Sequence, residues 1–393
     1  MYQNITMKFY TFILLLLIIP SISNSQEIPK EILKDTIYGN IKKIREKVVF
    51  LTKVENPQML YYDDYGHSGF MGPAATTSRF YKTWFSSDFC YYINYERHFD
   101  EKRNVIKDFW YDKQNEFMYL YKYKYDNKNR VLTEIDSTDF SVRTKNSYYQ
   151  DYGNITIENI ISQSSDNNHF KHLIYFHKDN KLTRSKNIDD NGYIDEYIYN
   201  YNSLGKLSSR IHKDPMSYKK HGENSWSHGI QDSIGKVHKD LANVYDKKNR
   251  LINSLHYSFS KEDNYEKPKL IYQEIYTYKN DNLISFKRKS ENGGTSIFFN
   301  YKYDKQNRLV EYNVCNDKNF NPRIIEKYKY KNNKIISLEY TDESYDDKFK
   351  VNGMKKSKST FSYKYDAKNN WIEIIKNVDG VDLYKWTREI AYY

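Results

Sequence analysis

Aromatic and polar residues alternate through Tyr119–Ile135, and this stretch sets the pattern for most of the chain. Tyr119, Tyr121, Tyr123 and Tyr125 fall on one face, while Leu120, Lys122, Lys124 and Asp126 fall on the other, because side chains along a strand alternate with period two. The pattern predicts a half-buried strand with an aromatic face. Asn127-Lys128-Asn129-Arg130 follows, a run that tolerates tight-turn and left-handed backbone, and Val131, Thr133 and Ile135 then resume β-branched spacing. The predicted unit is a β-hairpin.

Versions of this unit return at intervals of about 25 residues, the sequence signature of a repeat array. The clearest run from Tyr301, Tyr303 and Asp304 to Asn307 and Arg308, and from Tyr363, Tyr365 and Asp366 to Asn369-Asn370-Trp371. Others lead from Tyr245-Asp246 to Asn249-Arg250 and from Tyr199-Asn200-Tyr201 to Gly205-Lys206. Weaker copies lie at Phe99-Asp100, Tyr149 and Phe176, with a half-copy at Tyr111-Asp112. Two more, at Tyr276-Thr277-Tyr278 and Tyr328-Lys329-Tyr330, read as one residue shorter in the turn. The expected fold is all-β, an array of about ten antiparallel β-hairpin repeats in which neighbours complete one another's core.

At these residues, from roughly Tyr91 onward, the chain resembles the YD (RHS-type) repeat family, whose signature is a Tyr-Asp pair, a Gly- or Asn-bearing turn, then Arg or Asn and an aliphatic residue. In this chain the signature falls on Tyr123, Tyr125, Asp126, Asn129 and Arg130 and on the equivalent positions of the other copies. The resemblance implies a long twisted or spiralling antiparallel sheet and an exported or surface protein. Asn mostly stands where the family has Gly, and the period is longer. No toxin domain is expected after the last repeat. The segment from Thr387 to Tyr392 resembles the close of small exported repeat proteins of Bacteroidetes-type bacteria.

Before the repeats, Met7-Lys8, the apolar run from Phe12 to Ile19 and the small polar Ser21 to Ser25 give the order of a secretory signal peptide. Residues 1–25 are therefore read as a signal peptide, 26–90 as N-terminal capping strands and a loop, and 91–393 as the array, with an insertion at about 210–243. The expected location is exported: periplasmic, cell surface or secreted. The apolar run is too short for an ordinary spanning helix, and no transmembrane segment is expected after signal cleavage. Asp63 to Pro73 reads as a connecting loop, and Thr341 to Thr360 as a long exposed hairpin loop.

Aromatics at 17%, with 42 Tyr and 20 Phe, supply the core of such an array. A mean hydropathy of −0.91 suits a sheet with one wet face. The formal charge of +11 permits attraction to polyanions. The lysines are spread over the solvent positions of strands, however, and no nucleic-acid-binding module or partner is expected. Cys90 and Cys315, the only cysteines, are expected as two separate buried thiols.

Candidate chemistry centres on the insertion, where His212, His221, Glu223, Trp226, His228 and His238 stand among Gly and Ser. Imidazoles with carboxylates suit metal binding or acid–base work, but these spacings match no ligand motif, so no metal or cofactor is expected. His169, His172 and His177 form a second, equally unspecific group. Gly-x-Ser-x-Gly, HExxH, CxxC and P-loop signatures are absent. The leading reading is a non-enzymatic scaffold or binding protein of the cell envelope, with polysaccharide or a surface protein as partner. Two alternatives stand beside it: an envelope hydrolase or metal-dependent enzyme using residues 212–240, and, from the family resemblance alone, a component of interbacterial competition.

Overall fold

The computed structural model describes residues 35–393, except 52–83, 89, 91–92, 113, 139–140, 166, 191, 193, 214–236, 260–267, 316–321 and 343–354. The expected signal peptide and the loop at Asp63 to Pro73 lie outside the described residues. The described elements are all strands. They are β1 (Ile41–Phe50), β2 (Asn94–Phe99), β3 (Val105–Tyr111), β4 (Phe117–Tyr125), β5 (Val131–Thr138), β6 (Val142–Tyr152), β7 (Ile155–Gln163) and β8 (Asn168–Lys178). There follow β9 (Lys181–Asp189), β10 (Ile194–Tyr201), β11 (Leu207–Lys213), β12 (Val237–Tyr245), β13 (Leu251–Phe259), β14 (Pro268–Lys279) and β15 (Asn282–Ser290). The last seven are β16 (Thr295–Tyr303), β17 (Leu309–Cys315), β18 (Pro322–Lys331), β19 (Lys334–Asp342), β20 (Lys355–Tyr365), β21 (Trp371–Val378) and β22 (Val381–Tyr392). Each strand pairs antiparallel with the next, and β22 pairs with β1, so the 22 strands form one closed barrel. This corrects the open, spiralling sheet that the family resemblance implied. Thr341, Asp342 and residues 355–360, expected in a loop, extend β19 and β20.

The repeat signature has a mechanical explanation. In the β4–β5 turn, Asp126 Oδ1 accepts hydrogen bonds from the backbone N–H of Lys128 (2.8 Å) and Arg130 (2.9 Å), and Oδ2 accepts from Arg130 Nε (2.7 Å). Asn129 takes the left-handed position at φ 60°, which the Asn side chain tolerates. Asp246 and Asp304 bind their own turns in the same way, around Asn249 and Asn307, both also at φ 60°. Two contacts recur between neighbouring units. The last tyrosine of a strand donates to a carbonyl of the preceding unit: Tyr125 to Val105 (2.7 Å), Tyr245 to Leu207 (2.8 Å) and Tyr330 to Leu309 (2.6 Å). The turn arginine covers a tyrosine of the following unit, Arg130 over Tyr149 at 4.1 Å and Arg308 over Tyr330 at 4.7 Å. The turns at Tyr278 and Tyr330 are two-residue hairpins, shorter than expected; in the second, Asn332 and Asn333 are both at positive φ, as a type I′ turn requires.

All these turns lie at one rim, where each even-numbered strand from β2 to β20 passes to the next through two or five residues. The longer connections, including 51–93, 214–236 and 343–354, all leave from the other rim.

The face carrying the signature tyrosines is the more buried one, and Trp84 and Phe85 pack on it against Trp386 and Phe361. In a closed ring this is the inner face. The outer face carries ladders such as Lys302–Glu311 (2.8 Å) and Lys364–Glu373 (2.7 Å).

The seam between β22 and β1 is a buried polar latch. Arg388 Nε donates to Glu46 Oε1 (2.7 Å), its outer nitrogens reach Asp35, and its guanidinium lies 3.5 Å over the Trp371 ring. Trp386 Nε1 donates to Glu46 Oε2 (3.0 Å) and Trp371 Nε1 to Asp35 Oδ1 (3.0 Å). Burial raises the Glu46 pKa, and Arg388 opposes it. Beside the seam, Lys376 Nζ is buried and donates to the Ser87 carbonyl at 2.7 Å. Cys90 and Cys315 are both buried and free, as expected.

Candidate functional site

The inner face of β10 to β15 holds two groups in which stacked rings stand beside paired charges. His212 and His238 flank the 214–236 connection and are direct partners across β11 and β12. Their rings meet edge-on at 5.6 Å. Tyr197 lies flat on His212, with centroids 4.4 Å apart and an 8° interplanar angle, while His212 Nε2 stands 3.4 Å from Asp195 Oδ1. A bulge between Arg210 and Ile211 lets Asp240 face Arg210, which grips it through NH2 at 2.6 Å and Nε at 2.9 Å.

The motif repeats two strands on. His256 stacks on Tyr272 at 4.1 Å and bonds Ser254 Oγ at 3.1 Å. Arg288 donates to Glu274 Oε1 at 2.6 Å, Tyr276 donates to Glu274 Oε2 at 2.9 Å, and His256 Nε2 stands 3.7 Å from that carboxylate. Burial alone would raise the Glu274 pKa, but the nearby His256 and the bonds from Arg288 and Tyr276 outweigh it and hold the group at about 2. Burial, reinforced by Asp195, pushes the Tyr197 phenol up to about 12, so it stays a neutral donor. The result is two flat Tyr–His platforms flanked by guanidinium–carboxylate pairs. The two platform tyrosines, Tyr197 and Tyr272, are half-exposed.

No family model matches the chain. No curated protein matches it either. Among solved structures it is similar to the crystal structure of TcdB2-TccC3-Cdc42, at 10% identity and TM-score 0.23 over 75% of this chain. It is similar to a Photorhabdus luminescens Tc holotoxin pore at 11% identity and TM-score 0.24, again over 75%. This chain spans 19% of the length of each of those two chains. A porin-like protein from Bacteroides uniformis is similar over 90% of this chain and all of that one, at 9% identity and TM-score 0.22.

Of the residues singled out in the sequence, His212 and His238 are thus brought together, while His221, Glu223, Trp226 and His228 lie outside the described residues. Among the described residues no group of three or more His, Cys, Asp or Glu is arranged to hold a metal ion. His169 pairs with Asp190 at 3.0 Å and His172 with Asn159 at 2.6 Å, on opposite faces of β8. The sequence reading missed Tyr197, His256, Tyr272, Glu274 and Arg288. Their signal was available: His256 and Glu274 occupy positions that alternation places on the tyrosine face, where a buried polar residue needs a partner.

Proposed function

We propose that this is an exported, non-enzymatic envelope protein whose barrel binds a polysaccharide chain on the inner wall of β10 to β15. The observation that carries the reading is the pair of Tyr–His platforms, Tyr197 on His212 and Tyr272 on His256, each beside an arginine–carboxylate pair. Arg210 lies over Tyr197 at 4.9 Å and Arg288 over Tyr272 at 4.8 Å, so it is the half-exposed edges of these rings, with the fixed polar pairs beside them, that suit a sugar ring and its hydroxyls. Carboxylates held ionised by arginine are poor proton donors, which favours binding over hydrolysis. The outer face supports a water-exposed barrel. Lys122 and Lys327 stand near the middle of β4 and β18, where a lipid-facing strand would carry its apolar band.

Binding of neutral and acidic glycans, measured by calorimetry at low and moderate salt, tests this. The expected result is salt-resistant binding to one glycan, weakened about tenfold, or about 1.4 kcal/mol, by Tyr197→Ala or Tyr272→Ala. Binding to no glycan, or binding indifferent to both substitutions, overturns it.

A further inference from the structure

Around most of the ring the lysines point outward; on β6 to β8 the outward face carries no lysine and is largely apolar. The outward positions from Val142 to Tyr152 in β6, from Ile155 to Gln163 in β7 and from Asn168 to Phe176 in β8 hold no Lys, Arg, Asp or Glu. The inward positions of the same strands hold Lys145, Glu158 and Lys171. Five large outward side chains here are exposed: Val142 (54%), Tyr148 (55%), Tyr152 (59%), Ile161 (36%) and Phe170 (41%). Ile161 and Phe170 are direct partners across the ladder. Contiguous apolar surface of this kind on a water-facing protein marks a contact site.

We propose that this facet is an isologous interface between two copies of the chain. The first argument is charge. Each chain carries a formal +11, so a face-to-face contact through lysine-bearing facets would oppose like charges, whereas a two-fold contact through the β6–β8 facet, which holds no Lys, Arg, Asp or Glu, opposes none. The second is anatomy. The charge-free strands are bordered on β9 and β10 by a satisfied polar group, with Arg184 Nε donating to Glu196 at 2.6 Å and Lys186 3.5 Å from the same carboxylate. An apolar, aromatic centre with a paired polar rim is how protein–protein interfaces are built. The third is area. The charge-free strands β6 to β8 together with their rim strands β9 and β10, five strands spaced about 4.8 Å apart with about eight residues each at about 3.3 Å, cover roughly 600 Å². A standard-size interface buries about 800 Å² on each side. Two such faces meet as stacked sheets about 10 Å apart. The proposal does not depend on glycan binding.

Sedimentation velocity of the processed protein over a wide concentration range is the test. The expected species has twice the chain mass. Ile161→Lys with Phe170→Lys converts it to monomer, or raises the dimer dissociation constant at least about tenfold, with an unchanged circular dichroism spectrum. Lys122→Gln, on the lysine-bearing face, leaves the dimer intact. Should the double variant lose its β-sheet signal, Tyr148→Lys, at an exposed side chain, carries the test. A wild-type monomer at every concentration overturns the proposal, as does a dimer that survives both sets of substitutions. A monomer that floats with lipid vesicles also overturns it and assigns the facet to a membrane surface.

Discussion

Replacing Arg388 with Leu tests whether the β22–β1 seam closes the barrel through its buried latch. Arg388 and Glu46 are each about 2% exposed, and the guanidinium is the counter-charge to both Glu46 and Asp35. Leu fills part of the volume but leaves Glu46 a buried carboxylate with the Trp386 N–H at 3.0 Å and no cation bonded to it. Breaking a buried pair from one side costs about 3–5 kcal/mol. Loss of the stack on Trp371 adds about 1 kcal/mol. The pH dependence gives the mechanism a second signature. The folded-state pKa of Glu46 is already raised above 4.5 by burial, and removing Arg388 raises it further. A raised folded pKa means that the folded protein takes up the proton first as pH falls. The variant's deficit is therefore largest above that pKa and shrinks as pH falls toward the unfolded value. Denaturant unfolding followed by tryptophan fluorescence reads this directly, because Trp84, Trp371 and Trp386 form one cluster at the seam. A deficit at neutral pH below about 1 kcal/mol, the value of an exposed ion pair, refutes the latch. So does a deficit that is the same in mild acid.

Three further outcomes follow from the turns and the wall. Asn307→Ala, at φ 60°, lowers stability by about 1 kcal/mol while Asn307→Gly is near neutral, and calorimetric melting separates them. Tyr330→Phe and Tyr363→Phe each remove a hydroxyl donated to the preceding unit at 2.6 Å, costing about 1 kcal/mol apiece in chemical denaturation. In acid, Asp246 is held below 3.8 by the Arg250 backbone N–H and guanidinium, and Asp151 is held at about 2, first by Lys128. Their contribution is present above the unfolded pKa and is lost as pH falls through the lowered values, so melting temperatures drop between about pH 4 and about pH 2. Asp246→Asn flattens that drop, and a profile identical to wild type counts against the turn mechanism.

The hairpin unit was legible because it is local: alternation gives the strands, and Asp-x-x-Asn-Arg names the turn that joins them. Closure was not, because the contact that makes it pairs Glu46 with Arg388 across almost the whole chain, and each reads alone as an ordinary polar strand residue. The site was legible in half. His212 and His238 attracted attention as members of the His-rich insertion, but register, not spacing, makes them neighbours. Tyr197 looked like one more repeat tyrosine, and nothing short of pairing showed that His212 lies flat against it. The charge-free facet was visible in Ile155, Ile157 and Ile161, yet inside and outside have no meaning until the ring closes.

Closure with antiparallel pairing throughout also restricts how such a chain can change size. A ring in which every neighbour runs the opposite way must contain an even number of strands, so removal of a single strand would set two neighbours parallel at the join. One whole hairpin is the smallest addition or deletion that respects this parity. The circumference of the barrel is therefore stepped, and duplication or loss of one repeat, signature turn included, moves it by one permitted step without disturbing the latch between β22 and β1.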